Sequence, residues 1–469
     1  MKKLLFITLI FYCFASSAQD AWTLQQCIDY ADANNYELER IKNTQLTSEQ
    51  NVLAAKGAFL PTVTGNVNEN HNLGRNIDPF TNVYINQEVR SNNLSLNASM
   101  VLFNGMLLHN TLKQTKNQVL SIQQDIDQYR LDLRISIVQA YVSILLNEER
   151  VGNSIRQAET TKGVYDRTLA LKTSGVVTNS AALDVYAQWK QEEAAAIQAE
   201  NDLRLSYLNL GLLLQLPDPL AIRIQKPETA SASTMSYNNP EDVMNRVVEQ
   251  IPRLKSIEYR KESVARTYYA SKGRYYPKLT LNGALTTYYS TSGKIVTGKS
   301  TTTQQIGYTT PGNIPVYTDV TSSIVEQEAF NSQLNHNYNK FIGLTLSIPI
   351  LNGLQTRTLV HKNEIEMDQV DLDYNIAKVS LQRTIYSAYY QASGSQTKLV
   401  ALNESYTATE ESYRNAEKRY DNGIINSIEL SQLKTRLNQS QSDLLMAKYD
   451  FIFKNAILDL YSGQPLSIE

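Results

Sequence analysis

The sequence predicts a mixed α and β membrane protein with two internal repeats, each holding a pair of transmembrane strands and a long helical hairpin. Three observations indicate this fold class. Short glycine-containing motifs recur in the same order in both halves of the chain. Four segments of about ten residues alternate apolar and polar side chains, which is the period of a strand with two unlike faces. Long proline-free stretches repeat their apolar residues every seven positions, which is coiled-coil periodicity.

Composition excludes several classes of function. The chain has 469 residues with 44 basic and 46 acidic side chains, so its charge gives no basis for binding nucleic acid. The four histidines are scattered and form no zinc motif, and Cys27 is the one cysteine expected after processing. No Gly-x-Ser-x-Gly motif occurs, and neither Asp184 nor Glu429 has a histidine or cysteine beside it. We therefore expect no enzyme activity, no cofactor and no metal site.

The N-terminus has the pattern of a secretory signal. Lys2 and Lys3 precede an apolar stretch at residues 4–14, and small residues at 16–18 are suited to cleavage before Gln19. The stretch is too short to span a bilayer, although it could serve as a short N-terminal anchor. We expect residues 1–18 to be a signal peptide, and no later segment resembles a transmembrane helix.

Three landmarks define the two repeats. Gly57-x-x-x-Pro61 returns as Gly273-x-x-x-Pro277, Asn104-Gly105 returns as Asn352-Gly353, and Gly175 returns as Gly423. The order of the landmarks places a first repeat at residues 19–216 and a second at 241–469. Residues 217–240, with Ala-Ser-Ala-Ser at their centre, are the predicted linker.

Each repeat contains two predicted strands, at about residues 59–68 and 93–103 and at about 275–287 and 340–351. The alternation predicts that Leu94, Leu96, Leu344 and Leu346 face lipid, whereas Ser95, Asn97, Thr345 and Ser347 face a lumen. A half-buried strand of a soluble sheet is the alternative for any single segment. Residues 68–93 and 290–339, which join the strands, are rich in polar residues and are predicted to be surface loops.

A helical hairpin follows each strand pair, at about residues 106–214 and 354–460. The outgoing helices lack proline and would each be about 100 Å long at ~1.5 Å per residue. Gly175 and Gly423 are placed to end them in a left-handed conformation. The apolar positions of the second hairpin recur in sevens. They are Leu399, Leu402, Tyr406, Thr409, Tyr413, Ala416 and Tyr420 on the outgoing helix, and Leu430, Leu437, Leu444, Phe451 and Leu458 on the return helix.

Four strands cannot close a barrel in a membrane, because each open edge would leave unpaired amides in hydrocarbon. Bacterial barrels need about eight strands or more. Several chains must therefore contribute to one barrel, with their helical hairpins forming a ring of coiled coils beside it. Such a tube is suited to transport.

The sequence resembles the TolC family of outer-membrane efflux proteins. The motifs that carry the resemblance span the whole mature chain, and they are WTLQQCI at 22–28, the two Gly-x-x-x-Pro motifs, LSIPILNG at 346–353 and the two tip glycines. The stretch GRNIDP at 74–79 is similar to members from Bacteroidota. The resemblance implies a homotrimer in the cell outer membrane, with a 12-stranded β-barrel continued by a periplasmic α-helical barrel.

The resemblance also implies a function and partners. The trimer would be the exit channel of a tripartite efflux or type I secretion system, passing small molecules or proteins to the outside. A periplasmic adaptor (membrane fusion) protein would connect it to an inner-membrane transporter of the resistance-nodulation-division, ABC or major facilitator type. The alternative function is a secreted trimeric coiled-coil adhesin or an envelope scaffold.

Two groups of residues are candidate functional sites. The hairpin tips, expected to expose apolar residues for docking the adaptor, are Gly175, Val176, Val177 and Thr178 and then Gly423, Ile424, Ile425 and Asn426. Ordinary turn packing between hairpins is the alternative reading of the tips. By resemblance, Tyr420, Glu429 and Gln432 would form the periplasmic gate. Glu429 would alternatively be a solvated residue that the helix dipole favours at a helix N-terminus.

Overall fold

The computed structural model describes residues 21–77, 82–86, 88–226, 235, 237–422, 424–425 and 427–464. The predicted signal peptide, most of the central part of the linker, Gly423 and Asn426 lie outside the described residues. Helices and strands are both present, so the prediction of a mixed helical and sheet fold is confirmed. Among the described residues, no helix has the length and apolar character needed to cross a membrane.

Apart from the short helix α7 of the second, the described elements occur in the same order in the two predicted repeats. The first contains α1 (Leu24–Asn34), α2 (Tyr36–Gly57), β1 (Thr62–Asn72), β2 (Arg75–Ile77), β3 (Tyr84–Asn86), β4 (Val89–Phe103), α3 (Leu107–Thr173) and α4 (Asn179–Leu213). The second contains α5 (Pro240–Val248), α6 (Pro252–Gly273), β5 (Lys278–Ser290), β6 (Lys294–Tyr308), β7 (Pro315–Gln327), α7 (Phe330–His336), β8 (Asn339–Ser347), α8 (Gln355–Asp421) and α9 (Ser427–Tyr461). Corresponding helices have equal lengths: α2 and α6 have 22 residues, α3 and α8 have 67, and α4 and α9 have 35.

Local sequence explains where several helices begin. Thr23 forms a capping box with Gln26 at the start of α1, and Thr178 accepts a hydrogen bond from the backbone N–H of Ala181 at the start of α4. At the start of α3, the side chain of Asn104 accepts a hydrogen bond from the N–H of Leu108. These side chains satisfy backbone donors that the first helical turn leaves unpaired.

The chain forms two compact units, and each draws segments from both predicted repeats. The helical unit consists of residues 1–48, 117–261 and 369–469, within the described ranges. Its largest core combines α1 with the middle of α3 and the ends of α4 and α9, where Ile28, Ile137, Ile144, Leu145 and Leu210 are almost fully buried. A second core packs α5 and the start of α6 against α8 and the end of α9. The sheet unit consists of residues 49–116 and 262–368.

The sheet unit contains a four-stranded antiparallel sheet in the order β1-β4-β5-β8. A β-bulge interrupts the pairing of β4 with β5 between Val101 and Phe103. Strand β8 ends at Ser347, two residues before Pro349, which has no N–H to donate to a neighbouring strand.

The segment 290–339 differs from its prediction as a surface loop. It contains the long β6–β7 hairpin and the short helix α7, and the segment 68–93 likewise contains β2 and β3. Threonine, valine and isoleucine favour strands because their branched side chains fit a pleated surface. The polar hydroxyl groups of the many threonines in β6 and β7 made this segment resemble a loop in composition.

Candidate membrane sheet and helical tips

The register of the four-stranded sheet separates apolar from polar side chains. Leu96 lies opposite Gly65 and Leu285, and Leu281 lies opposite Met100 and Leu344, so these residues share one face. Ser95, Asn97, Thr345 and Ser347 lie on the other face, because side chains alternate along each strand. The register therefore groups the residues as the alternation predicts.

The two faces differ in their exposure and hydrogen bonding. On the apolar face the side chains of Val67, Ile342 and Leu344 are 74%, 79% and 65% exposed in the isolated chain. On the polar face Ser99 Oγ donates to Asn282 Oδ1 at 3.1 Å, and Asn282 Nδ2 donates to Thr345 Oγ1 at 3.0 Å. An exposed apolar face of this kind needs a nonaqueous neighbour, whereas the polar face is satisfied next to water.

Both edges of this sheet are open within the described residues. There β1 pairs with β4 alone, and β8 pairs with β5 alone. An open edge presents a row of backbone donors and acceptors that a further strand can pair with.

Two glycines allow the turn after β4 to pack tightly against the end of α6 within the sheet unit. Gly105, with φ +65°, lies against the end of α6, and a Cβ atom added to it would be 2.2 Å from the carbonyl oxygen of Gly273. A Cβ atom added to Gly273 would be 2.5 Å from the carbonyl oxygen of Gly105. Gly353 corresponds to Gly105 and Gly57 corresponds to Gly273, and neither has anything within 4 Å of an added Cβ, although Gly353 has a similar φ of +61°. The sequence identifies these glycines as repeated landmarks but gives no sign of a contact between them.

The tip of the first hairpin has the geometry expected of a glycine-ended helix. The N–H of Gly175 donates to the carbonyl of Lys172, and the N–H of Val176 donates to the carbonyl of Leu171. These are the two bonds of a Schellman motif, with Gly175 at φ +79°. At the second tip the N–H of Ile424 donates in the same way to the carbonyl of Arg419.

The exposure of the tip residues is only partly as expected. Val176 and Ile424 are 69% and 65% exposed, and Thr178 is exposed as well. Val177 is half-buried, however, and Ile425 is only 7% exposed, so the expectation of four exposed apolar residues is wrong for these two. In each turn the first residue after the glycine position lies on the outside, whereas the side chain of the next residue is covered as the chain turns back into the return helix. One exposed aliphatic residue therefore remains on each tip.

The predicted gate residues lie close to the second tip. Tyr420 is in the last turn of α8 and is partly exposed, whereas Glu429 is in the first turn of α9. Gln432, one turn further along α9, is exposed. An acidic residue in a first turn is favoured by the helix dipole, so its position is consistent with either role considered for Glu429.

Burial along the second hairpin follows the seven-residue repeat. Leu399 and Ala416 of α8 are buried, as are Leu444, Phe451 and Leu458 of α9. A second set of apolar residues on α8 is exposed in the isolated chain, and its members are Leu372, Ile376, Val379, Tyr390 and Val400. Leu372, Val379 and Val400 are separated by multiples of seven, so α8 presents a second coiled-coil stripe besides the one it packs on α9.

An aromatic cluster on the first hairpin was not recognised from the sequence. Tyr165 of α3 stacks on Trp189 of α4 at a centroid distance of 5.7 Å, and Tyr186 contacts both rings. The ammonium group of Lys190 lies 3.8 Å from the centre of the Trp189 ring, which is a cation–π distance.

Burial shifts the pKa values of two side chains in the cores of the helical unit, Cys27 and Asp459. Burial raises the pKa of the Cys27 thiol to about 12 and so keeps it in the unreactive thiol form. Burial also raises the pKa of Asp459, whose Oδ2 accepts from Asn455 Nδ2 at 3.2 Å, while its Oδ1 has no hydrogen-bond partner among the described residues. Among the described residues, no group of His, Cys, Asp and Glu side chains is arranged to hold a metal ion.

Comparison with known proteins supports the resemblance to efflux channels. The sequence model of the family described as "Outer membrane efflux protein" matches residues 27–214 and 243–464. No match is found among curated proteins. The fold is similar to that of CusC, with a TM-score of 0.72 and 14% identity over 94% of this chain and 92% of that one.

Two further solved structures have the same similarity. For VceC from Vibrio cholerae the TM-score is 0.71, with 13% identity over 95% of this chain and 97% of the other. For the MtrE channel of Neisseria gonorrhoeae the TM-score is 0.70, with 15% identity over 95% of this chain and 90% of the other. At such low identity these likenesses show the fold alone, whereas the family match covers most of the sequence. The chain therefore belongs to the outer membrane efflux protein family, whose members are channels and not enzymes.

Proposed function

We propose that three copies of this chain form an exit channel in the outer membrane, which exports small molecules or proteins received from a periplasmic adaptor and an inner-membrane transporter. The observation that carries the proposal is a sheet with one exposed apolar face, one polar face and two open edges. In the trimer, β8 of each copy pairs with β1 of the next and closes twelve strands into a barrel. The apolar face then contacts lipid and the polar face lines the lumen.

The internal contacts of the chain support this closure. Within one copy, the turn after β4 contacts the end of α6 through Gly105 and Gly273. The turn after β8 carries Gly353, and the end of α2 carries Gly57, yet both face open space in the isolated chain. Pairing β8 with the β1 strand of a neighbour brings these two glycines together in the same way, so that each contact within a chain is repeated between chains.

A complementary pair of charges occurs at the corresponding position of the helices. Ser256 of α6 donates to Asp125 Oδ1 of α3 at 2.5 Å. Arg40 precedes Gly57 by the same number of residues as Ser256 precedes Gly273, and Asp373 follows Gly353 as Asp125 follows Gly105. Arg40 and Asp373 are both exposed in the isolated chain, where the Arg40 guanidinium pairs with Glu37 of the same helix. In the trimer we expect Arg40 to form an ion pair with Asp373 of the next copy.

Contact between neighbouring copies would also account for the second apolar stripe of α8. Leu372, Val379 and Val400 need a partner helix along much of the length of α8. In a closed ring each hairpin has neighbours on both sides, and one neighbour of α8 belongs to another copy. The hairpins then form a periplasmic α-helical barrel that continues the β-barrel.

We place the docking site for the adaptor and the periplasmic gate at the hairpin tips. Val176 and Ile424 provide an exposed aliphatic residue at each kind of tip, which is a suitable anchor for an adaptor protein. Tyr420, Glu429 and Gln432 of the three copies would surround the threefold axis and restrict the periplasmic opening. A ring of carboxylates attracts cations at such a constriction.

The location of the protein and its behaviour on gels test the channel against a scaffold or adhesin. A channel is expected in outer-membrane fractions as an SDS-resistant trimer that dissociates on heating, and reconstituted trimers are expected to conduct ions. Release as an elongated soluble protein would instead support the scaffold. Affinity capture from the same membranes should recover an adaptor, and its loss in a Val176→Asp, Ile424→Asp variant would assign docking to the tips.

A further inference from the structure

The β6–β7 hairpin is a long ribbon with little support from the rest of the sheet unit. It pairs from Lys294 with Gln327 to Tyr308 with Pro315, and every residue of β7 is exposed. Within the described residues, β6 and β7 pair with each other alone, so both outer edges are open. A two-stranded ribbon is marginally stable in water, and open edges favour pairing with further strands.

The base of this ribbon is held firmly, which distinguishes it from a loose loop. Gln333 of α7 is 2% exposed; its Oε1 accepts from the N–H of Ser290, and its Nε2 donates to the carbonyls of Ser290 and Glu328. The N–H of Thr291 donates to the carbonyl of Arg90, so the base is also attached to β4. The ribbon therefore leaves the sheet from a fixed point.

The two faces of the ribbon differ in chemistry. Val316, Val320 and Ile324 of β7 lie on one face, which we call the aliphatic face, and they are opposite Gly307, Thr302 and Gly298 of β6. Thr318, Ser322 and Glu326 of β7 share this face. The opposite face, which we call the charged face, includes Lys299 and Asp319. There Thr303 donates to Asp319 and Thr301 bonds with Thr321, so the charged face is suited to water.

The two strands also carry opposite charges. β6 contains Lys294 and Lys299 and has no acidic residue, whereas β7 contains Asp319 and Glu326 and has no basic residue. A second copy of the same ribbon can therefore approach with its basic strand beside the acidic strand of the first. Such a contact joins unlike strands of the two copies and is therefore heterologous. When the same contact repeats by a rotation that closes, the copies form a ring.

We propose that, in the trimer, β7 of each copy pairs antiparallel with β6 of the next copy and closes the three ribbons into a six-stranded sheet outside the membrane. This inference rests on the proposed channel and its threefold symmetry. Strand directions alternate around the ring, as antiparallel closure requires. The aliphatic faces turn inward, and the charged faces remain in water.

The closed ring would narrow the outer mouth of the channel. The diameter of a barrel grows roughly in proportion to its strand number, so six strands enclose about half the width of twelve. Side chains fill the interior of small barrels, and here they would include three copies each of Val316, Val320 and Ile324 together with the polar side chains that alternate with them. A constriction filled in this way restricts the passage of water and ions.

Cysteine cross-linking tests the pairing directly, because buried Cys27 is the one cysteine outside the predicted signal peptide. Lys299→Cys is combined in separate variants with Tyr317→Cys and with Asp319→Cys. Within a copy, Lys299 lies opposite Ser323, so both pairs are too distant for a disulfide inside one chain. A short bis-maleimide cross-linker reaches further than a disulfide. It therefore joins the same cysteines if β7 of one copy pairs with β6 of the next in a register shifted by a few residues. We expect covalent dimers and trimers on gels of heated samples, and none from Lys299→Cys alone.

Unheated samples of the same variants distinguish the two proposals. Trimers that are present but yield no covalent product with either pair would overturn the ribbon ring and leave the channel intact, whereas absence of trimers would contradict the channel itself.

In a second measurement, residues 299–323 are replaced by Asn-Gly, which joins β6 to β7 by a tight turn. Single-channel conductance should rise by about two- to fourfold, since the open area grows with the square of the diameter. An unchanged conductance would refute the constriction.

Discussion

Adding one methyl group to Gly57 should weaken the trimer without damaging the chain. Gly57 ends α2 and has nothing within 4 Å of an added Cβ in the isolated chain, so Gly57→Ala has no steric cost there. If the interface between copies repeats the contact of Gly105 with Gly273, the new Cβ meets the backbone of Gly353 of the next copy. At the equivalent position in the chain, the distance to a carbonyl oxygen would be 2.5 Å.

The size of the effect follows from that distance. Favourable contacts between heavy atoms are about 3.5–4.0 Å long, so the backbones would have to separate by about 1 Å. Overpacking of this kind typically costs about 1–3 kcal/mol. A ring of three copies contains three such contacts, which gives about 3–9 kcal/mol for the whole trimer. At about 1.4 kcal/mol per factor of ten, the trimerisation constant falls by about 10² to 10⁶.

The assay compares trimer dissociation with folding of the chain. The temperature at which the SDS-resistant trimer dissociates should fall in Gly57→Ala, while circular dichroism of the protein in detergent should show the same helix content. Gly394→Ala is the matched control, because Gly394 of α8 also has open space around an added Cβ. Gly273→Ala creates the clash inside the chain, so its yield of folded protein should fall. A Gly57→Ala trimer as heat-stable as the wild type would refute the repeated interface.

A charge exchange tests the same interface through different side chains. Arg40→Glu places two acidic groups together if Asp373 of the next copy is its partner, and Asp373→Arg places two basic groups together. Each single variant should lower the dissociation temperature, and the double variant should restore most of the loss. Exposed pairs contribute about 0.2–1 kcal/mol each, so the effect should be smaller than that of Gly57→Ala and should weaken at high salt. Additive losses in the double variant would exclude this pairing.

Three further predictions concern the membrane face, the buried carboxyl group and the gate. Leu344→Arg should reduce the amount of trimer in outer membranes, since a charge facing lipid costs up to about 2–4 kcal/mol. Thr345→Arg on the polar face should be tolerated, and equal losses of trimer in the two variants would contradict the face assignment. Burial raises the pKa of Asp459, so the folded state holds the proton more tightly than the unfolded state, and stability falls as the pH rises above the usual pKa of an aspartate. Asp459→Asn should therefore raise the free energy of unfolding at pH 7.5 by about 1–3 kcal/mol, the usual cost of a buried unsatisfied group, and the gain should be smaller near pH 4. Thermal unfolding at the two pH values measures it, and a gain that does not depend on pH would point to packing instead. In planar bilayers, Glu429→Gln should weaken block by divalent cations from the periplasmic side and Tyr420→Phe should raise basal conductance, and wild-type behaviour of both would exclude them from the gate.

The sequence predicted those features that depend on local periodicity. Alternation grouped Leu94 and Leu96 on one side of a strand because the side-chain period of a strand is two. The seven-residue repeat similarly identified Leu444 and Phe451 as positions packed between helices. Each of these signals comes from the repeated geometry of a single element, which requires no knowledge of its neighbours.

Features that depend on distant partners were not predicted. Ile425 is buried while Ile424 is exposed, and the sequence offers no means of distinguishing two adjacent isoleucines whose burial depends on the turn of the chain. The contact between Gly105 and Gly273 joins residues far apart in the sequence, so the glycines were recognisable only as repeated landmarks. The β6–β7 ribbon was missed for a different reason, since threonine favours strands by its shape but resembles loop residues in polarity.

Differences between the repeats bear on how a partner would recognise the assembled channel. The stacked pair of Tyr165 and Trp189 has no equivalent on the second hairpin, where Tyr413 and Leu437 stand at the corresponding positions. In the proposed trimer, the two unlike hairpins of each copy would alternate around a ring of six. An adaptor that binds the aromatic cluster, or that binds one kind of tip, would find three equivalent sites and not six. The equal helix lengths of the two predicted repeats would let such a ring close evenly, whereas their unlike surfaces would limit an adaptor to threefold symmetry.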